Sequence, residues 1–155
     1  MKNSYDDIDK LLNDIKSDIE DVLLDEVLEE VKDIELKHVE DDVFSVYSPK
    51  IYERRSLESG GIDDPENIVG EVRDMQLEVD NITPFNDGYG TYNHGIGLAD
   101  LINDGDGKSG YYYDYPFDAM GARPFIDNTI DEIERTDDVE NALAKGMKNR
   151  GYDIT

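Results

Sequence analysis

Asp104-Gly105-Asp106-Gly107-Lys108 has the alternating acids and glycines of a calcium loop, and its spacing suggests a hard cation. An EF-hand loop needs an oxygen ligand where Lys108 stands and a bidentate Glu at its twelfth position, here Tyr115, so the pattern fails. His38 and His94 are the only histidines and lie far apart in polar settings. With no cysteine in the chain neither fits a metal-ligand spacing, and both read as ordinary surface residues. Gly88-Tyr89-Gly90 and Gly95-Ile96-Gly97 lack the preceding strand, following helix and lysine of a phosphate-binding loop. Aspartates and glutamates number 39 in 155 residues, too many for any one pair to identify a general acid and base. Asn81-Ile82-Thr83 is a glycosylation sequon without a secretory signal. The expectation is a chain with no catalytic, cofactor-binding or metal-binding residues, and not an enzyme.

Recognition chemistry is better represented. Tyr52, Arg54 and Arg55 put a basic pair beside an aromatic ring, suited to carboxylates or to stacking. The pair either neutralises the acidic first helix of its own subunit or reaches across a subunit boundary. Tyr111, Tyr113 and Tyr115 share one face of an extended segment, and only Lys108 lies near them as a cation, so the row suits core or interface better than nucleic-acid stacking. Arg123 sits in a turn that must hold a helix start. The expected interface residues are therefore Tyr52, Arg54, Arg55, Tyr111, Tyr113 and Arg123, with Pro124 and Phe125 as structural anchors.

The elements that must position these residues follow from periodicity. Ile8, Leu11, Leu12, Ile15, Ile19, Val22, Leu23, Val27, Val31 and Ile34 step by three and four residues, predicting a helix from about Tyr5 to Leu36 that is roughly 45–50 Å long. Asp14, Asp18, Asp21 and Asp25 form a row expected opposite Ile15, Ile19 and Val22, facing solvent or a channel. Ser48 and Pro49 start a short helix over 49–58 that Gly60 can end. Residues 67–73 and 75–80 alternate as a hairpin around Asp74, Thr83-Pro84 breaks the second strand, and Leu98–Ile102 reads as a short helix. Pro124 pushes Arg123 into extended backbone and opens a helix with Phe125, Ile126, Thr129, Ile130 and Ile133 on one face and Asp127, Asp131, Glu132 and Glu134 on the other. A restart at Asp137, with Glu140 as capping-box partner, gives a last helix with a stripe of Val139, Leu143 and Met147 and Gly151 after its end. Tyr152–Thr155 adds a short strand or a docking tail.

The fold class is accordingly α+β: a long N-terminal amphipathic helix, a small mostly antiparallel sheet, and C-terminal helices packed on it. Residues 1–155 are expected as a single domain, with an acidic helical arm over 1–42 and an α+β body over 43–155. A net charge of −24 and 37% hydrophobic residues imply self-repulsion in an isolated copy and burial completed by neighbours. Residues 1–42 alone carry 16 acids against 5 lysines. No signal peptide and no stretch of 18 apolar residues is found, so no membrane partner is expected.

Three stretches carry a resemblance. Ala122-Arg123-Pro124-Phe125 enters a C-terminal helix, Tyr47-Ser-Pro-Lys-Ile-Tyr52-Glu-Arg-Arg55 runs on to Gly60-Gly61, and Asn81-Ile-Thr-Pro-Phe-Asn86 closes the strand pair. Over roughly residues 43 to 151 these motifs resemble the neck or tail-completion proteins of long-tailed phages, the gp-ten-like head-tail connectors, in the form found in phages of Gram-positive hosts. The resemblance implies a structural virion protein at the head-tail junction, made in the host cytoplasm. It would form a homo-oligomeric ring between head-completion or adaptor proteins and tail-terminator or tail-tube proteins, with DNA passing by unbound. A different class, an acidic DNA-mimic inhibitor of a DNA-binding protein, is the alternative that the charge allows.

Overall fold

The computed structural model describes residues 7–46, 60–84, 97–105 and 121–154. Within them the fold is α+β: a long N-terminal helix, a two-stranded antiparallel sheet, and C-terminal helices. The short helix expected at 49–58, the tyrosine row at 111–115, the glycine pair at 88–90 and Gly95-Ile96 lie outside the described residues. Gly97 is described and directly precedes the helix Leu98–Asp104, so the second glycine pair does have a following helix, contrary to expectation.

The first helix, α1, is α-helical over Ile8–Val22 and Leu28–His38 and π-helical over Leu23–Val27 and Val39–Phe44. It runs beyond the expected end at Leu36 and spans roughly 55 Å at ~1.5 Å per residue. The Asp7 carboxylate caps it, accepting from the Asp9 N–H at 2.9 Å. In the π turns the Leu28 N–H donates to the Leu23 carbonyl and the Ser45 N–H to the Glu40 carbonyl. These wider turns return a residue five positions on to nearly the same face, so Val22 and Val27 are both buried. Both belong to the expected apolar stripe; the π turns themselves were not expected.

Strands β1 (Ile68–Arg73) and β2 (Gln76–Asn81) pair from Ile68↔Asn81 to Arg73↔Gln76. Asp74 and Met75 both take left-handed backbone, with φ of 50° and 62°, forming the two-residue turn that suits the strand twist. Met75 therefore belongs to the turn, not to the strand as expected. The sheet is fastened to α1 through buried polar groups. Asn81 Nδ2 donates to Glu35 Oε1 at 2.7 Å, and Asn81 Oδ1 accepts from the Thr83 N–H at 3.1 Å and Thr83 Oγ1 at 2.6 Å. The sequon residues are thus internal struts, and burial of Asn81 and Thr83 leaves no room for a glycan.

Three helices follow: α2 (Leu98–Asp104), α3 (Phe125–Arg135) and α4 (Asp138–Asn149). The core has two clusters strung along α1. Val39, Val43, Ile62, Ala99, Ile102 and Phe125 form one at its C-terminal end. Val22, Val27, Ala142 and Met147 form the other, with Leu77 of the hairpin and the tail residues Tyr152 and Ile154 packed against it. Gly146 is what allows α4 to approach: a Cβ there would stand 2.5 Å from Val22 Cγ1.

Several helical details differ from expectation. The buried stripe of α4 is Ala142, Gly146 and Met147, with Val139 and Leu143 on its margin. The capping box at Asp137 does not form, because its backbone (φ −98°, ψ 17°) is not the extended one that aims a cap side chain, and it makes no capping bond. At the other end Gly151 behaves as expected, with φ 94° and paired bonds from its N–H to the Lys148 carbonyl and from the Tyr152 N–H to the Met147 carbonyl. On α3, Ile130 is 49% exposed whereas Glu132 turns inward toward α1, reversing their expected faces.

Candidate functional site

Phe125 has no exposed surface, and the turn before it is built to place it there. Pro124 sits at φ −77° and ψ 55° while the Phe125 N–H donates to the Arg123 carbonyl at 2.7 Å, an inverse γ-turn. Pro124 is thus the cap position of α3, one residue before the first-turn place expected of it, and it has no side chain to offer the helix N–H groups. Asn103 of α2 supplies the missing acceptor: its Oδ1 takes the Ile126 N–H at 2.9 Å and the Asp127 N–H at 3.4 Å. The Arg123 N–H donates to the Ile102 carbonyl at 2.9 Å, so α2 braces the turn twice. Gly105, at φ 70°, lies so close to Ala122 that a Cβ would stand 2.7 Å from the Ala122 nitrogen. Only glycine meets both demands.

A second constellation joins α3 to α1. His38 Nδ1 lies 2.9 Å from Asp42 Oδ2 and its Nε2 2.9 Å from Glu132 Oε2. Glu132 also accepts from Lys37 at 2.7 Å, and Asn128 Nδ2 donates to Asp42 at 2.9 Å. The Lys37 ammonium bond, opposed by partial desolvation and aided by His38, holds the Glu132 carboxyl below the usual range. His38 is therefore no ordinary surface residue; its side chain is 15% exposed. Both ring nitrogens are engaged by carboxylates, leaving none free to take a proton from a substrate, so the group works as a clamp. Among the described residues no group of three or more His, Asp or Glu could hold a metal ion.

The third feature is acidic. Asp25, Glu26, Glu29, Glu30 and Asp33 of α1 face Asp138, Asn141 and Lys145 of α4 across an open groove. Arg150 pairs with two of these acids, reaching Asp25 at 3.1 Å and Glu26 at 3.2 Å. The Tyr152 hydroxyl donates to Asp18 at 2.5 Å. Of the aspartate row of α1, Asp21 and Asp25 face solvent as expected, while Asp18 and Asp25 also hold the tail and Arg150, so the row does not stand opposite the apolar stripe. At ~100° per residue it lies about a quarter turn from that stripe, close enough for α4 and the tail to reach.

Of the residues expected at an interface, Tyr52, Arg54, Arg55, Tyr111 and Tyr113 lie outside the described residues, as does His94. Arg123 is half-buried in the braced turn, with Pro124 exposed beside it and Phe125 in the core. Asp104 ends α2, where its carboxylate accepts from Asn103 Nδ2 at 3.2 Å; the rest of the calcium-like loop is outside the described residues. Sequence reading missed Asn103 and Glu35. The signal for Asn103 was a polar residue at the foot of an apolar helix; an acid at Glu35 amid other acids gave none.

Among the described residues no helix is long and apolar enough to cross a membrane. No curated protein and no solved structure matches the chain. A family model does match, over residues 7–149, from the cap of α1 to the last residue of α4. That span takes in the braced turn, the clamp and the acidic groove together, and by it the chain belongs to the YomN family, a phage-associated protein family.

Proposed function

We propose that the protein is a structural component of the phage particle at the head-tail junction, acting without catalysis or cofactor as one copy in a ring around the DNA path. The observation that carries this reading is the Ala122-Arg123-Pro124-Phe125 turn, the motif of the resemblance to connector proteins, in a chain of a phage-associated family. The way the turn is built supports an anchoring role: two elements distant in sequence converge on it, and its phenylalanine closes the core. A helix of roughly 55 Å is longer than one small domain needs and suits a part that bridges to neighbours.

The charge is compatible with contact by transit. DNA carries about one negative charge per ~1.7 Å of axis, so a basic lumen would retain it and an acidic one lets it slide. Quantitative proteomics of gradient-purified particles tests the reading: the protein is expected at a fixed copy number in tailed particles, and absence from them overturns it. A gel-shift titration at ~50 mM salt is expected to give no complex with duplex DNA. If the protein is instead recovered only with a DNA-binding protein, and blocks that protein's binding to DNA, mimicry replaces the connector.

A further inference from the structure

The N-terminal turns of α1 bear an apolar stripe that continues past the part packed on α4. Ile8, Leu12, Ile15 and Ile19 recur at intervals of four, three and four and fall within about 60° of one another around the helix. Ile19 is covered by the second core cluster, in which Tyr152 and Ile154 also pack. About two turns earlier the cover ends: Leu12 is 54% exposed and Ile8 74%. The stripe is helical and regular, and among the described residues nothing covers its outer end.

The internal segments outside the described residues are too short to supply the partner. Residues 47–59 start and finish beside the C-terminal end of α1, and an out-and-back path of 13 residues reaches roughly 22 Å at full extension. Leu12 lies about 50 Å from Val46 along the helix. Residues 85–96 are anchored near Glu35 through Asn81 and Thr83, some 35 Å from Leu12, with a reach of about 20 Å. Residues 106–120 leave and rejoin the chain at Gly105 and Gly121, which meet beside the core cluster holding Val39, about 40 Å from Leu12; their reach is about 26 Å. The occupant comes from another molecule or from residues 1–6.

Charge selects among those occupants. Residues 7–22 carry six acids and two lysines in a chain of net −24. A second copy brings the same acidic helix and is repelled, whereas a helix edged with lysine and arginine is attracted. We infer that the Ile8–Leu12 end of α1 docks a basic amphipathic helix of a different protein, apolar stripe against apolar stripe, with its cations facing the acids that flank this one. The inference is independent of where in the phage cycle the protein acts.

The probe is a synthetic helical peptide of about three heptads with Leu at a and d and Lys at e and g, beside a twin with Glu at e and g. Calorimetric titration of the full chain is expected to show saturable one-to-one binding of the Lys peptide and none of the Glu peptide. Ile8→Ser with Leu12→Ser is expected to weaken binding at least about tenfold while leaving the thermal midpoint unchanged, since both side chains are largely exposed. Asp33→Ser removes a distant charge and should alter affinity less than about twofold. Full affinity in the double-serine variant would reduce the binding to charge attraction alone and overturn the proposal. A concentration-dependent dimer in sedimentation that the double variant abolishes would assign the stripe to a second copy. A gain of about tenfold on deleting residues 1–6 would make the chain's own N-terminus the occupant. Either result overturns the proposal.

Discussion

Replacing Phe125 by alanine removes a ring with no exposed surface from a pocket walled by Val39, Val43, Ile62, Ala99 and Ile102. Deletions of this size cost about 3–5 kcal/mol, the larger values arising where the surroundings cannot collapse into the space. Collapse is restricted here. Backbone on both sides of the ring is pinned by the Arg123–Ile102 bond and by Asn103 holding the first N–H groups of α3, and Val39 and Val43 stand on a helix continuous with the rest of α1. The upper part of the range, about 4–5 kcal/mol, is therefore expected. At ~2–4 °C per kcal/mol for a chain of this size, the midpoint should fall by roughly 8–20 °C. Far-UV circular dichroism melts with parallel urea titrations measure it, and an unchanged m-value would show that the loss lies in stability and not in a change of native compactness. Phe125→Leu should cost only about 1–2 kcal/mol. A loss below about 1 kcal/mol for the alanine variant would refute the reasoning and make the ring an interface residue.

Asn103→Ala takes away the acceptor for two N–H groups of α3 and should cost about 1–2 kcal/mol in the same melts, with Asn103→Asp restoring most of it. Gly146→Ala drives a methyl into Val22 and should cost about 1–3 kcal/mol; adding Val22→Ala should recover part of that loss, since the two share one contact. Burial raises the Glu35 carboxyl above its ordinary range, outweighing the Asn81 bond, so Glu35 contributes most to stability when protonated, at low pH, and that contribution is lost as pH rises through the raised value. Glu35→Gln should therefore be more stable than the parent at neutral pH, with the difference shrinking as pH is lowered toward the normal glutamate range in urea titrations.

The elements themselves were legible because each rests on local chemistry. Alternation on either side of Asp74 marked the hairpin, though not the place of Met75 in its turn, Gly151 marked the end of α4, and Pro124 marked the start of α3. What sequence could not show are decisions made by tertiary contact. Counting in threes and fours put Val22 and Val27 on the apolar stripe of α1, where both are buried, but it could not show the π turns that bring these two residues, five apart, to nearly one face. Glu132 and Ile130 exchanged faces because Lys37 and His38 offer a carboxylate two donors, which outweighs covering one isoleucine. Asn103 caps a helix more than twenty residues away, across a segment whose length carries no hint of the pairing. Much of the expected interface, Tyr52, Arg54, Arg55, Tyr111 and Tyr113, falls outside the described residues, and its role rests on the resemblance and the residue types.

The connector reading is tested most directly by a cryo-electron reconstruction of the neck in purified phage particles, sharpened by a fusion tag on this chain. The account predicts a closed ring of copies between head and tail, centred on the DNA path, with tag density on that ring. A neck whose density is fully assigned to other proteins, with the tag absent from every particle, would contradict it.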